Sequence, residues 1–210
     1  MIKLSVVIPI KQGDNESKEL LEILPDVLTE NCEVVVSSPG KGHNRAYALN
    51  RGVEKSSGEF LWFVHGDSRF GKNEVTQLLE SIERLPDNLH YFKLRFYPSN
   101  FFMSLNSIGA NLRSFLIGCP YGDQGLCIKR NIFMKLGGFD ETTRYGEDHL
   151  FVWKCHQNKI KLNCIDGYIQ TSSRKYRNNG WLKTTLLHQF LFFKQAIPEA
   201  RKLLKTRFFS

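Results

Sequence analysis

The stretch EFLWFVHGDSRFG, Glu59 to Gly71, decides how the chain folds. Phe60 to Val64 are five consecutive apolar residues, and His65, Asp67 and Arg69 follow with only glycine and serine between them. A half-exposed strand would alternate apolar with polar residues, whereas an unbroken apolar run of this length fits a strand covered on both faces, as in a parallel sheet. The polar residues then stand at the carboxyl end of that strand, where open α/β sheets bind their ligands.

The flanking sequence supports this frame. LSVVIPI (4–10) is a β-branched run, and SKELLEILPDVL (17–28) has helical spacing, with Pro25 expected to bend or shorten the helix. CEVVVS (32–37) repeats the strand signal, SPGKG (38–42) reads as a loop, and HNRAYALNRGVEKS (43–56) reads as a helix. Downstream, NEVTQLLESIERL (73–85) predicts a helix capped by Asn73, and HYFKLRFY (90–97) a strand exposed on one face. SNFFMSLNSIGANLRSFLIG (99–118) is mostly helical, QGLCIKR (124–130) a short strand and NIFMKLGGFD (131–140) a helical turn and loop. GEDHLFVWKCHQN (146–158) predicts a helix and KIKLNCID (159–166) a strand. The sum is an α/β fold: a Rossmann-like, mainly parallel sheet flanked by helices.

A chain of 210 residues that is 41% hydrophobic can bury a sizeable core. Its five cysteines form no C-x-x-C pair, and the first residues carry no signal-peptide cleavage region; a reducing, cytoplasmic setting is expected. No apolar run approaches the roughly 18 residues of a spanning helix. Charge is uneven. From Arg174 onward nine basic residues face a single acid, Glu199, which accounts for the whole net charge of +8. This tail, residues 171–210, has apolar residues on a helical stripe with Lys and Arg beside it, interrupted at Pro198. The pattern fits an amphipathic helix docked on its own domain or lying on an anionic membrane surface.

Several clusters carry candidate chemistry. A carboxylate such as Asp67 beyond a buried strand can hold a divalent cation, and it can equally be a turn residue. Glu147 and Asp148 open a helix behind a glycine, where acids serve either as dipole partners or as a general base. Tyr121, Asp123 and Gln124 lie in the small-residue turn CPYGDQG (119–125). In PGKGHNR (39–45) the glycines let backbone amides approach a phosphate while Lys41 and Arg45 add charge; a solvated basic loop looks the same. Arg174, Lys175 and Arg177 with Tyr176 and Trp181 suit a diphosphate or an acidic surface. No nucleic-acid motif accompanies them, so no nucleic-acid partner is expected.

At these residues the chain resembles family 2 glycosyltransferases of the glycosyltransferase A fold, and among them the short bacterial members of radical-SAM and selenodomain-type gene neighbourhoods. Four segments carry the resemblance in order: SVVIPI (5–10), ALNRGVEKSSGEFLWFVHGDSR (48–69), IGCPYGDQGLCIKRNIFMKLGGFDE (117–141) and GEDHLF (146–151). It implies an inverting sugar transfer from a nucleotide-diphosphate sugar to a glycan or lipid-linked acceptor, with manganese or magnesium. Asp67 corresponds to the last acid of the family's Asp-x-Asp metal motif, and His65 takes the place of the first. Asp148 corresponds to the catalytic base with Glu147 beside it, and Tyr121, Asp123 and Gln124 to the acceptor side. Arg174 and Arg177 stand where the family often places basic diphosphate contacts, and Lys41, Arg45 and Arg69 are candidates for the donor from their own positions. A catalytic domain over residues 1–170 is expected, and the basic, aromatic tail at 171–210 points to a peripheral place at the inner face of the membrane. One departure stands out: Ser37 and Ser38 replace the Asp-rich loop that holds the nucleotide, and a glycosyltransferase-like binding module without activity is the alternative.

Overall fold

The computed structural model describes residues 2–10 and 17–208, so the last two residues of the expected tail lie outside the described residues. Six strands form one sheet: β1 (Leu4–Pro9), β2 (Cys32–Ser37), β3 (Phe60–Phe63), β4 (Leu89–Tyr97), β5 (Cys127–Lys129) and β6 (Leu162–Ser172). Their order is β2-β1-β3-β5-β4-β6. β1 pairs in parallel with β2 and β3, and β4 with β6. Short β5 runs antiparallel to both of its neighbours, so three of the five pairings are parallel.

The helices are α1 (Ser17–Val27), α2 (Arg45–Lys55), α3 (Lys72–Arg84), α4 (Phe101–Leu116), α5 (Arg130–Lys135), α6 (Glu147–Gln157), α7 (Arg174–Asn179) and α8 (Trp181–Phe208). They cover both faces of the sheet. Because successive strand residues point to opposite faces, Phe60, Trp62 and Val64 join the cluster under α1 and α3, with Leu20, Leu24, Leu78 and Ile82. Leu61 and Phe63 point the other way, to Leu49 of α2, Phe133 of α5, Phe151 of α6 and Phe192 of α8. This explains the unbroken apolar run. All five side chains are at most 3% exposed, and each such burial contributes roughly 1.5–3 kcal/mol relative to exposure.

Local chemistry moved several boundaries. α3 is capped by Gly71, not Asn73: the Glu74 carboxylate accepts from the Gly71 amide at 2.9 Å, which draws the helix start back to Lys72. α1 runs only two residues past Pro25. β4 is buried on both faces over its first four residues and alternates only afterwards. β6 continues six residues beyond the expected strand because Gly167, Ile169 and Thr171 stay inward in alternation with outward residues.

His90 on β4 is wholly buried, with Ser81 Oγ 3.0 Å from one ring nitrogen and the Leu85 carbonyl 3.0 Å from the other. Burial lowers its pKa from 6.5 to about 4, the Leu85 carbonyl pulling the other way. A depressed native value means that the unfolded chain binds more protons between those limits. Stability is therefore complete above pH 6.5 and falls as the pH drops toward 4, by up to about 1.4 kcal/mol per pH unit. Chemical denaturation at pH 7 and pH 5 measures the slope, and His90→Gln should flatten it.

Candidate active site

The site is built on three turns. The first follows β3: the Ser68 amide donates to the His65 carbonyl at 3.1 Å, and the Arg69 backbone exchanges hydrogen bonds with Gln170 of β6 at 2.9 and 3.0 Å. This holds His65 and Asp67 at the carboxyl end of the central strand. Thr171 Oγ1 donates to Asp67 Oδ2 at 3.4 Å. The second turn is a 3₁₀ segment, Gly122–Gln124, anchored over β3 by Trp62 Nε1 donating to the Gly125 carbonyl at 3.1 Å. The third is the start of α6, reached through Gly146 at φ +70°, a left-handed conformation that favours glycine.

These turns meet. The Gly122 amide donates to Asp148 Oδ2 at 2.6 Å, and the His149 amide to Asp148 Oδ1 at 2.8 Å. A methyl group on Gly122 would lie 2.7 Å from Asp148 Oδ2 and 2.9 Å from His65 Nε2, so only glycine permits the approach. Arg45, the first residue of α2, bridges the cluster. Its Nε donates to Glu147, Nη1 to His65 Nε2 at 3.0 Å and Nη2 to Asp148 Oδ2 at 3.5 Å. Asn44 sets its position: the Asn44 side chain accepts from the Tyr47 amide at 3.0 Å and donates to the Glu141 and Thr143 carbonyls at 2.7 and 2.8 Å.

The electrostatics follow from burial and these neighbours. Burial, then the Arg45 charge, lowers His65 to about 4, so its ring is neutral and Nε2 accepts from Arg45. Burial pushes Asp148 up, but the Arg45 charge and the two amide donors outweigh it and hold the carboxyl below its ordinary value. Asp123 differs. Burial raises it to about 6, with Asp148 and Asp67 adding to the effect against the pull of Arg113. Its Oδ1 is buried without a hydrogen-bond partner.

Of the residues singled out in the sequence, Arg45, His65, Asp67, Asp123, Glu147 and Asp148 are thus brought together. Tyr121 stands at the edge with its ring 3.6 Å from the Arg113 guanidinium carbon. Gln124, expected on the acceptor side, is wholly buried: its oxygen accepts from Ser114 Oγ at 2.7 Å and the Tyr121 amide at 3.2 Å, and its nitrogen donates to the Phe92 carbonyl at 2.9 Å. It shapes the turn. Arg69 pairs with Glu19 at 2.5 Å and stacks on Tyr97. Lys41 is exposed on its glycine loop, and Arg174 and Arg177 are exposed on α7.

Of the basic cluster at 174–177, Lys175 acts by its charge on His65. Two further residues, Thr171 and Arg113, belong here: Thr171 touches Asp67. Arg113 sends Nε to the Cys119 carbonyl at 2.9 Å and holds the Tyr121–Gln124 turn from α4. The one signal for Arg113 in the sequence is that it is the sole charge in SNFFMSLNSIGANLRSFLIG.

A model of the family described as glycosyl transferase family 2 matches residues 6–139, more than half of the chain. The chain belongs to this family. Among curated proteins none matches it. Solved structures of S. aureus TarS share the fold. One aligns with a TM-score of 0.64 at 16% identity, covering 81% of this chain and 37% of TarS. A second, TarS 1–349 in complex with UDP-GlcNAc, aligns with a TM-score of 0.57 at 14% identity and covers 82% of this chain and 59% of the other. The family 2 chain described here therefore spans between about a third and three-fifths of these neighbours, whose likeness fixes the glycosyltransferase A architecture.

Proposed function

We propose that the chain is a glycosyltransferase, which moves a sugar from a nucleotide-diphosphate sugar to a glycan or lipid-linked acceptor with inversion at the anomeric carbon. One observation carries the reading: Asp148, far away in the sequence, meets the turn that carries His65 and Asp67 at the carboxyl end of β3, with Arg45 reaching His65 Nε2 at 3.0 Å and Asp148 Oδ2 at 3.5 Å. Family membership and the TarS complex with UDP-GlcNAc support a nucleotide-sugar donor.

Asp148 is the base. Its ionised carboxylate, oriented by two amides and Arg45, takes the acceptor hydroxyl proton as that oxygen attacks the anomeric carbon. The bond to the diphosphate breaks on the opposite face in the same displacement, so the centre inverts and the nucleoside diphosphate departs with the electron pair. Arg45, Lys175, Arg174, Arg177 and Lys41 supply positive charge toward the diphosphate. Tyr121 and Asp123 face the acceptor side, and Gln124 holds their turn.

Among the described residues no three His, Cys, Asp or Glu side chains group closely enough to hold a metal by themselves. A hard divalent cation nevertheless fits, because such ions are commonly held by one or two carboxylates together with substrate phosphates. The partnerless buried oxygen of Asp123, close enough to Asp67 to feel its charge, supplies that chemistry. Asp67 and Asp123 would hold manganese or magnesium, with His65 lining the seat while Arg45 occupies its Nε2. When bound, the ion neutralises charge developing on the diphosphate.

Calorimetry with Mn²⁺ and a nucleoside diphosphate should show binding that Asp67→Asn weakens at least about tenfold; unchanged affinity would move the cation elsewhere. A screen of nucleotide sugars, following released nucleoside diphosphate with and without Mn²⁺, tests the transfer itself. The Ser37 hydroxyl is spent on the Ala48 carbonyl at 2.6 Å and offers nothing to a nucleotide, which favours the alternative of an inactive binding module. Release of product from any donor excludes that alternative; absence of both release and binding establishes it. The catalytic unit, expected over residues 1–170, takes in the end of β6, α7 and the inner face of α8 as well, and the outer, basic face of 171–210 meets an anionic membrane surface from the cytoplasmic side.

A further inference from the structure

Exposed apolar side chains among the described residues are not confined to the tail. On α4, Phe101, Leu105, Ile108, Leu112 and Phe115 recur every three or four residues and are all between 43% and 78% exposed. That spacing lays them along one face of the helix. On α8, Leu182, Leu186, Phe190, Phe193 and Ile197 form a second stripe, between 48% and 64% exposed.

The two helices adjoin. Trp181, the first residue of α8, stacks on Phe102 of α4 with centroids 4.6 Å apart, and its Nε1 donates to Asn106 Oδ1 at 3.2 Å. Further along, Tyr121 lies between them: Arg113 of α4 covers its ring, and Phe192 of α8 approaches it at 6.4 Å. The Tyr121–Gln124 turn is therefore in contact with both helices.

Charge decides what covers them. Residues 99–118 contain no acid and one base, Arg113; residues 167–198 contain no acid and five bases, Arg174, Lys175, Arg177, Lys183 and Lys194. A second copy would oppose like charge to like charge. An acid-free apolar face edged with lysine and arginine matches the hydrocarbon boundary and anionic headgroups of a lipid leaflet. No helix among the described residues is long and apolar enough to cross a membrane.

We propose that α4 and α8 together form a two-helix platform that seats in an anionic lipid surface, with α4 contributing as much as the basic tail. This deepens the membrane part of the reading above and rests on that part alone, since vesicle binding is measured without donor or transfer.

The test is flotation of the full chain with vesicles of phosphatidylglycerol and phosphatidylcholine, compared with phosphatidylcholine alone. Trp62 and Trp153 are buried, so a blue shift of tryptophan emission on binding reports Trp181. The expected result is binding to the anionic vesicles that weakens with salt. The double variants Ile108→Glu/Leu112→Glu on α4 and Leu186→Glu/Phe190→Glu on α8 should each lower it at least about tenfold. These side chains are exposed, and an unchanged melting temperature confirms folding. Wild-type binding by the α4 variant overturns the platform in favour of the tail alone. No vesicle binding overturns it altogether, and a concentration-dependent dimer dispersed by the α4 variant assigns the face to a second copy.

Discussion

Replacing Asp148 by asparagine is expected to lower turnover by about 10²- to 10⁴-fold, the range that a positioned general base contributes. Asparagine retains an oxygen for the Gly122 amide and the shape of the side chain, but it cannot take a proton. Glu147 cannot stand in, because its carboxylate is committed to Arg45 Nε and its side chain is 5% exposed. Donor affinity, read by calorimetry, should remain within a few-fold of wild type, since Asp148 acts on the acceptor proton and not on the diphosphate. Product release at wild-type rates would transfer the role of base to Asp123, whose raised pKa and partnerless oxygen make it the next proton acceptor in the cleft.

The second large effect is on stability. Arg45 is the cation for two carboxylates whose side chains are only 5% and 11% exposed. Arg45→Met keeps the aliphatic stem and removes the charge, leaving Glu147 without its cation and Asp148 with only the Gly122 and His149 amides. Breaking a wholly buried pair in this way costs about 3–5 kcal/mol. The Arg45 side chain is 38% exposed, so water offsets part of the loss and a cost of about 2–3 kcal/mol is expected. Urea denaturation at pH 7 measures it. The removed charge also frees His65 and Asp148 to rise toward ordinary values, so the penalty should shrink as the pH falls and Asp148 protonates. A variant as stable as wild type would show that Arg45 serves the ligand and not the fold.

The sequence carried the sheet and half of the site. Phe60 to Val64 specify a two-sided strand because both faces demand apolar residues, and any ligand site must then begin at His65. The glycines at 122 and 146 mark two more turns for the same reason: backbone must pass close to another group or turn left-handed. What the sequence does not display is which polar atoms are already spent. Gln124 looks identical whether it faces a sugar or fills its own turn, and the difference lies in Ser114 and Phe92, far away in the chain. Arg69 likewise turns to Glu19 and Tyr97, while of Arg174, Lys175 and Arg177 it is Lys175 whose charge reaches His65. The α4 stripe was hidden for the opposite reason. Its 3.5-residue periodicity is that of an ordinary core-facing helix, and only burial shows that it faces outward.

Gln195 of α8 gives the tail a second duty. Its nitrogen donates to the Tyr145 carbonyl at 2.8 Å and its oxygen lies 3.1 Å from His149 Nδ1, so it grips both sides of Glu147 and Asp148. Phe192 and Ala196, on the same helix, are part of the main core. The segment therefore braces the site: displacing it moves the chain that carries Asp148, and cutting it away removes both Gln195 contacts together with Phe192 and Ala196. This is why point changes on the outer stripe, and not truncation, test the proposed lipid face.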